Sequence, residues 1–237
     1  MATSSAGSLR LHLGCGHHKI EGFVNCDLYP TDVTDEIFDV QSKWPFPDHA
    51  VSDIYASHML EHLNDPRAFF REAWRVLRPN GSMLLRMPHG AHRAAWWDLE
   101  HVRPWFPESF CFLQPGYNDA IGNPQHDAWR WPFMIASIDV RLAKKLGWWM
   151  RGRVRRRIAL RYLDWIHEAA DELWVYLSAL KTPEAINEFH RMRRANSAPM
   201  RWAMYQHHLE NRDLRDGEPV TLKVLDKHWI KNGDFGR

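Results

Sequence analysis

The sequence predicts an α/β fold built on a mostly parallel sheet. Three observations lead there. Short apolar, strand-like runs recur with short links, and an amphipathic helix stands between two of them. A glycine loop, Gly14-Cys15-Gly16, directly follows the first run. An acidic residue, Asp27, ends the second run, and a carboxylate there, beside a glycine loop, suits the two hydroxyls of a ribose.

Residues 9–14 are the first strand, with Leu11 and Leu13 leading into the turn, where two glycines around a small residue permit close approach of a ligand to the backbone. Residues 23–28 are the second strand. A short third strand ends at Phe38-Asp39-Val40, and the proline-rich turn Trp44-Pro45-Phe46-Pro47-Asp48 follows. Val51 to Ala56 is the fourth strand, with Ile54 and Tyr55 supporting it. Pro66 to Leu77 is a helix: Asp65 is its N-cap, Pro66 fits the first turn, and Phe69, Ala73, Val76 and Leu77 form its apolar face. Pro79-Asn80-Gly81 ends it, and Ser82 to Met87 is the fifth strand. Phe133 to Leu142 and Leu173 to Leu180 read as strands six and seven. Between those two, Val154, Ile158, Tyr162, Trp165 and Ile166 mark an amphipathic helix. Thr182-Pro183 opens another helix to Arg194, and Met200 to Glu210 suggests one more. One difficulty is built in. A parallel crossover needs a dozen or more residues, whereas only about eight separate strands one and two.

At 237 residues and 45% hydrophobic content, the chain can bury one full core and carry a cap. A formal charge of +2 names no partner. Cys15, Cys26 and Cys111 form no close pair or ligand cluster, which points to a reducing compartment. The start, MATSSAGS, lacks the apolar run of a signal peptide, and no long apolar stretch follows. A soluble cytoplasmic protein is expected. The 13 tryptophans fall mostly after residue 90, so the second half differs in character from the first.

The glycine loop fits neither common nucleotide motif. A dinucleotide fingerprint needs glycine where Lys19 stands, and its acidic residue comes later than Asp27. No G-K-[ST] follows for a P-loop. Taken together, the G-C-G loop, P-F-P-D before strand four, S-H-M-L-E-H-L after it and R-V-L-R-P-N-G before strand five resemble the class I S-adenosylmethionine-dependent methyltransferases. The resemblance covers residues 9–90 and is closest to small members with a trimmed first half. It implies a Rossmann-like, doubly wound, mostly parallel seven-strand sheet with one antiparallel strand, and tolerance of trimmed crossovers. It implies S-adenosyl-L-methionine as cofactor. Gly14, Cys15 and Gly16 would border its methionine part, Asp27 with Leu28 following would hold the ribose hydroxyls, Asp39 and Val40 would flank the adenine, and Ser57 and His58 would pass near the sulfonium. Two positions depart from the family pattern: His12 replaces the usual acidic residue, and His18 the usual third glycine.

The stretch 88–132, rich in His, Trp and Pro, reads as an acceptor-side cap insertion. His89, Asp98 and His101 are the candidate catalytic residues, with His92 and Glu100 beside them, because a histidine near a carboxylate can act as a base near neutral pH. Loop-anchoring hydrogen bonds are the plainer alternative. Trp96, Trp97, Trp105, Trp129 and Trp131 either wall an acceptor pocket or pack the cap. His58-Met59-Leu60-Glu61-His62 fits the H-x-x-E-H zinc pattern, but it follows a strand directly and Asn64-Asp65-Pro66 breaks any helix. No metal is therefore assigned. The arginine run from Arg151 to Arg161 suits an anionic surface, although the acidic residues after it favour a solvated helix face.

The expected organisation is a disordered N-terminus over 1–8, a methyltransferase domain over 9–182 and a C-terminal helical extension and tail over 183–237. The expected activity is methyl transfer to a small-molecule or sugar-like acceptor, since nothing reads as a nucleic-acid module. A non-catalytic cofactor-binding scaffold and, more remotely, a zinc hydrolase are the alternatives.

Overall fold

The computed structural model describes residues 8–120, 130–142, 170–194 and 221–223. Its strands are β1 (Leu9–Leu13), β2 (Val24–Asp27), β3 (Glu36–Ile37), β4 (Val51–Ser57), β5 (Leu77–Pro88), β6 (Phe133–Leu142), β7 (Ala170–Ala179) and β8 (Thr221–Lys223). They form one sheet in the order β3-β2-β1-β4-β5-β7-β6-β8. The first five run parallel; β7 runs against β5 and β6, and β8 runs against β6. This is the expected α/β class, with an eighth strand added at one edge. The described helices are α1 (Pro66–Val76), α2 (Ala94–Trp97), α3 (Tyr117–Ala120) and α4 (Pro183–Arg194). The helices expected around 154–166 and 200–210, the arginine run, Trp129 and the N-terminal residues 1–7 lie outside the described residues.

The core is built from alternate strand positions. Leu11, Leu13, Ile54, Ala56, Met83, Leu85, Ile135, Val175 and Leu177 are buried, and Phe69, Phe70, Ala73 and Val76 of α1 pack into the same cluster. Asp65 caps α1 by accepting the amide N–H groups of Arg67 and Ala68. Leu77 turns extended and ends it. Here the boundary differs from expectation. Leu77 already pairs with Val51, so β5 begins there, and Pro79-Asn80-Gly81 makes a bulge within the pairing, with Asn80 at a φ of 58°. β3 lies earlier than expected, because Asp39 opens a turn in which its carboxylate accepts the Gln41 amide and its carbonyl accepts that of Ser42.

The short crossovers are real. β1 pairs with β2 in parallel although no helix joins them. Asn25 closes the connection instead: its side-chain oxygen accepts from Ile20 N at 2.9 Å, and its amide donates to the Ile20, Phe23 and Asp35 oxygens. Asp35, just before β3, also accepts the Asn25 backbone N–H at 2.8 Å. Side-chain hydrogen bonds thus satisfy a segment in which a helix would otherwise satisfy itself. The segment before β4 is tied down from α1. Arg75 donates to the Trp44 and Phe46 carbonyls and to Glu72 and Asp48, while Trp44 is buried against Phe69.

Candidate functional site

Strand order reverses between β1 and β4, since the chain leaves β1 toward β2 on one side and later returns to β4 on the other. Ligands of open parallel sheets bind beyond the carboxyl ends of the strands at such a point. The glycine loop follows β1, and Ser57 and His58 follow β4, so the structure puts both at this crevice. Asp27 ends β2, while Asp39 and Val40 come just after β3. Every residue expected on the cofactor side therefore lies at one end of four neighbouring strands.

The loop itself is preformed. Gly14 and Gly16 have φ of 65° and 53°, the left-handed region that favours glycine. Cys15 N–H donates to Cys26 O, holding the loop on the end of β2. Gly16 N–H donates to Asp27 Oδ2 at 2.8 Å, and Tyr29 N–H to Oδ1 at 3.2 Å. The Asp27 carboxylate is thereby oriented with capacity left for further donors. A Cβ on Gly16 would meet nothing within 4 Å, so the loop borders open space. Burial pushes the Cys15 thiol up, which makes it a wall rather than a nucleophile. Leu28 is exposed beside Asp27. His12 is buried and hydrogen-bonded to Asn25 Oδ1 at 3.1 Å; burial lowers its pKa and keeps the ring neutral. That histidine belongs to the β1–β2 tie. His18 is exposed on the loop.

His58 has a φ of 52°, and its N–H donates to Arg86 O. Its ring lies between two carboxylates, Nε2 at 3.2 Å from Glu172 and Nδ1 at 3.3 Å from Glu61. Glu172 first, then Glu61, raises its pKa to about 9, so it is an imidazolium. Glu172 is itself held ionised, because hydrogen bonds from His58, Trp174 and Arg141, together with the Arg86 charge, outweigh its burial. Both ring nitrogens of His58 thus face carboxylates, and the potential ligand atoms that lie together among the described residues are those of Glu61, His62 and His101.

The acceptor-side candidates separate. His89 is fully buried, its Nδ1 accepts the Ala91 N–H, and burial lowers its pKa to about 4. With no exposed atom, it anchors the loop against Phe106 and is not placed to take a proton from a ligand. Asp98 accepts the Glu100 N–H through Oδ1 and faces His101 Nε2 with Oδ2 at 3.7 Å. His92 faces Asp171 at 3.5 Å. His62 and His101 meet ring to ring at 4.7 Å between centroids, over Glu61. Sequence spacing had no means of showing that His101 joins Glu61 and His62, or that Glu172 joins His58. Trp105 is buried, Trp131 packs against the core, and Trp96 and Trp97 stay exposed on α2.

Residues 11–85 match the methyltransferase-domain family. Over those residues the chain is similar to methyltransferase domains. That match spans the glycine loop, Asp27, the β4 end and α1. Similar solved structures include an S-adenosylmethionine-dependent methyltransferase from Archaeoglobus fulgidus, 16% identical, covering 73% of this chain and 86% of that one, with a TM-score of 0.49. Another from Methanosarcina mazei is 12% identical over 73% and 92%, with a TM-score of 0.44. The [4+2]-cyclase SpnF is 16% identical over 74% and 77%, with a TM-score of 0.45. No curated protein matches the chain. Among its described residues no helix is long and apolar enough to cross a membrane.

Proposed function

We propose that this chain is a methyltransferase that transfers the methyl group of S-adenosyl-L-methionine to a small-molecule or sugar-like acceptor. One observation carries the reading: a left-handed glycine loop and a carboxylate already bonded to it stand beyond β1 and β2, inside the segment that matches the methyltransferase family. Gly14, Cys15 and Gly16 would hold the methionine portion, Asp27 and Leu28 the ribose side, Asp39 and Val40 the adenine side, and Ser57 and His58 the edge nearest the reacting methyl. The bound cofactor supplies a methyl already activated by its sulfonium. The protein then contributes position, which can be worth several kcal/mol. The segment 88–120, with Trp96, Trp97 and Leu99 exposed, is the acceptor side of the crevice. Of the acceptor-side residues, His101 with Asp98 keeps a histidine–carboxylate pairing, whereas His89 is a loop anchor. Three free thiols agree with a cytoplasmic setting.

Titration calorimetry with S-adenosylhomocysteine tests this. The protein should bind one equivalent, and Asp27→Ala should weaken binding by about 1.5–3 kcal/mol, as for hydrogen bonds to a charged group. A folded Asp27→Ala variant with unchanged affinity would rule the placement out. Absence of binding to the unaltered protein would remove the cofactor reading altogether.

A further inference from the structure

We propose that Glu61, His62 and His101 form a binding site for a divalent transition-metal cation of the zinc class. One ligand atom from each lies within 4.8 Å of the others. The remaining atoms of the cluster say which edge of each ring is free. His62 Nδ1 lies 3.3 Å from the Glu100 carbonyl, so it carries the proton and leaves the Nε2 lone pair outward. In His101 the arrangement is reversed. Nε2 faces Asp98 Oδ2 at 3.7 Å, and Nδ1 is buried without a hydrogen-bond partner. A carbonyl or carboxylate behind each ligating histidine is how metal sites hold tautomer and ring orientation. Glu61 supplies the charge. It is 2% exposed, and neither carboxylate oxygen has a well-directed hydrogen bond, although His58 Nδ1 stands 3.3 Å from Oε1. Glu61 Oε2 and His101 Nδ1, buried together without partners, are costly unless something satisfies them. A cation does so for both at once.

Two imidazoles and one carboxylate form a donor set suited to zinc and its first-row neighbours, and three protein ligands leave a coordination position open. Zinc with bonds of about 2.1 Å holds tetrahedral donors about 3.4 Å apart. The site therefore closes by small rotamer changes, for which the half-buried His62 has freedom. The backbone holds the two halves in register, since Val102 N–H donates to Glu61 O at 2.8 Å. This set shares Glu61 and His62 with the H-x-x-E-H pattern but replaces His58 by a histidine from the loop after α2. It draws on the His101–Asp98 pair placed on the acceptor side above, and metal uptake is read without any methyl transfer.

The test uses the full chain, stripped with a chelator, dialysed, and titrated with Co²⁺ and with Zn²⁺ alone. One equivalent should bind, with visible cobalt d–d absorption. Asp98→Asn should lower affinity by about 10–100-fold, as for the carboxylate behind a ligating histidine. Glu61→Gln and His101→Ala should lower it further, while His17→Ala leaves it unchanged. Circular dichroism checks that each variant folds. In the unaltered protein, Zn²⁺ should shift the side-chain NMR signals of His62 and His101 and not that of His17, a readout that needs no variant. No stoichiometric uptake, uptake unaffected in folded Glu61→Gln and His101→Ala, or shifts confined to other histidines would each overturn the site.

Discussion

Gly14 meets two demands at once. Its φ of 65° is left-handed, and a Cβ there would stand 3.0 Å from Met59 Cβ and Cγ. Any L side chain would carry both the strain and the crowding. Gly14→Ala should therefore lose about 1–2 kcal/mol of stability from the backbone alone, read from urea midpoints. An unchanged midpoint would mean that the loop has another conformation available. The places of Gly14 and Asp27 at the ends of β1 and β2 were legible in the sequence because the pattern lies within a short stretch: strand, glycine turn, strand, acid. His58 was legible only in position. Its charge comes from Glu172, 114 residues away, and no spacing rule reaches that far. His89 shows the opposite error. A histidine after a strand looks available for chemistry, yet the loop folds Phe106 over it and removes it from solvent.

Connections, more than strands, carried the surprises among the elements. The strands were readable from alternation and from their Gly and Pro boundaries, and β1, β4, β6 and α1 fall within a residue or so of expectation. The helix-less crossover from β1 to β2 was not readable, because the stabilising partner is one polar side chain. Asn25 looks like a strand residue in sequence and works as a hub in the fold. Asn25→Ala should cost about 3 kcal/mol, since it abandons the Ile20 amide, His12 and Asp35 together. The cap residue provides the scale: Asp65→Ala should cost about 1 kcal/mol. Urea unfolding of both variants decides the matter. If Asn25→Ala loses no more than Asp65→Ala, the hub is not what closes the crossover.

Glu172 spans the molecule, sitting on β7 and reaching Arg86 on β5, Arg141 on β6 and His58 beyond β4. Its pKa is held below the ordinary glutamate value of 4.5 in the fold, so it binds fewer protons than it does in the unfolded chain near that pH. The stability it contributes is present above pH 4.5 and is lost as the pH falls through the lowered value. Glu172→Gln should accordingly be less stable than the unaltered protein by about 1.5–3 kcal/mol at neutral pH, with the gap closing progressively below pH 4.5. Unfolding midpoints measured from neutral to acid pH check it, and a gap that stays constant would show that charge is not the cause. The outline of the sheet was legible in the sequence because its parallel half is local, whereas the edge strand β8 lies far along the chain from its partner β6. The lengths of the two outermost strands have a further consequence. β3 has 2 residues and β8 has 3, so among the described residues these two outermost strands themselves offer few open backbone donors and acceptors. A strand of another copy of the chain would find little to zip onto at either of these two strands.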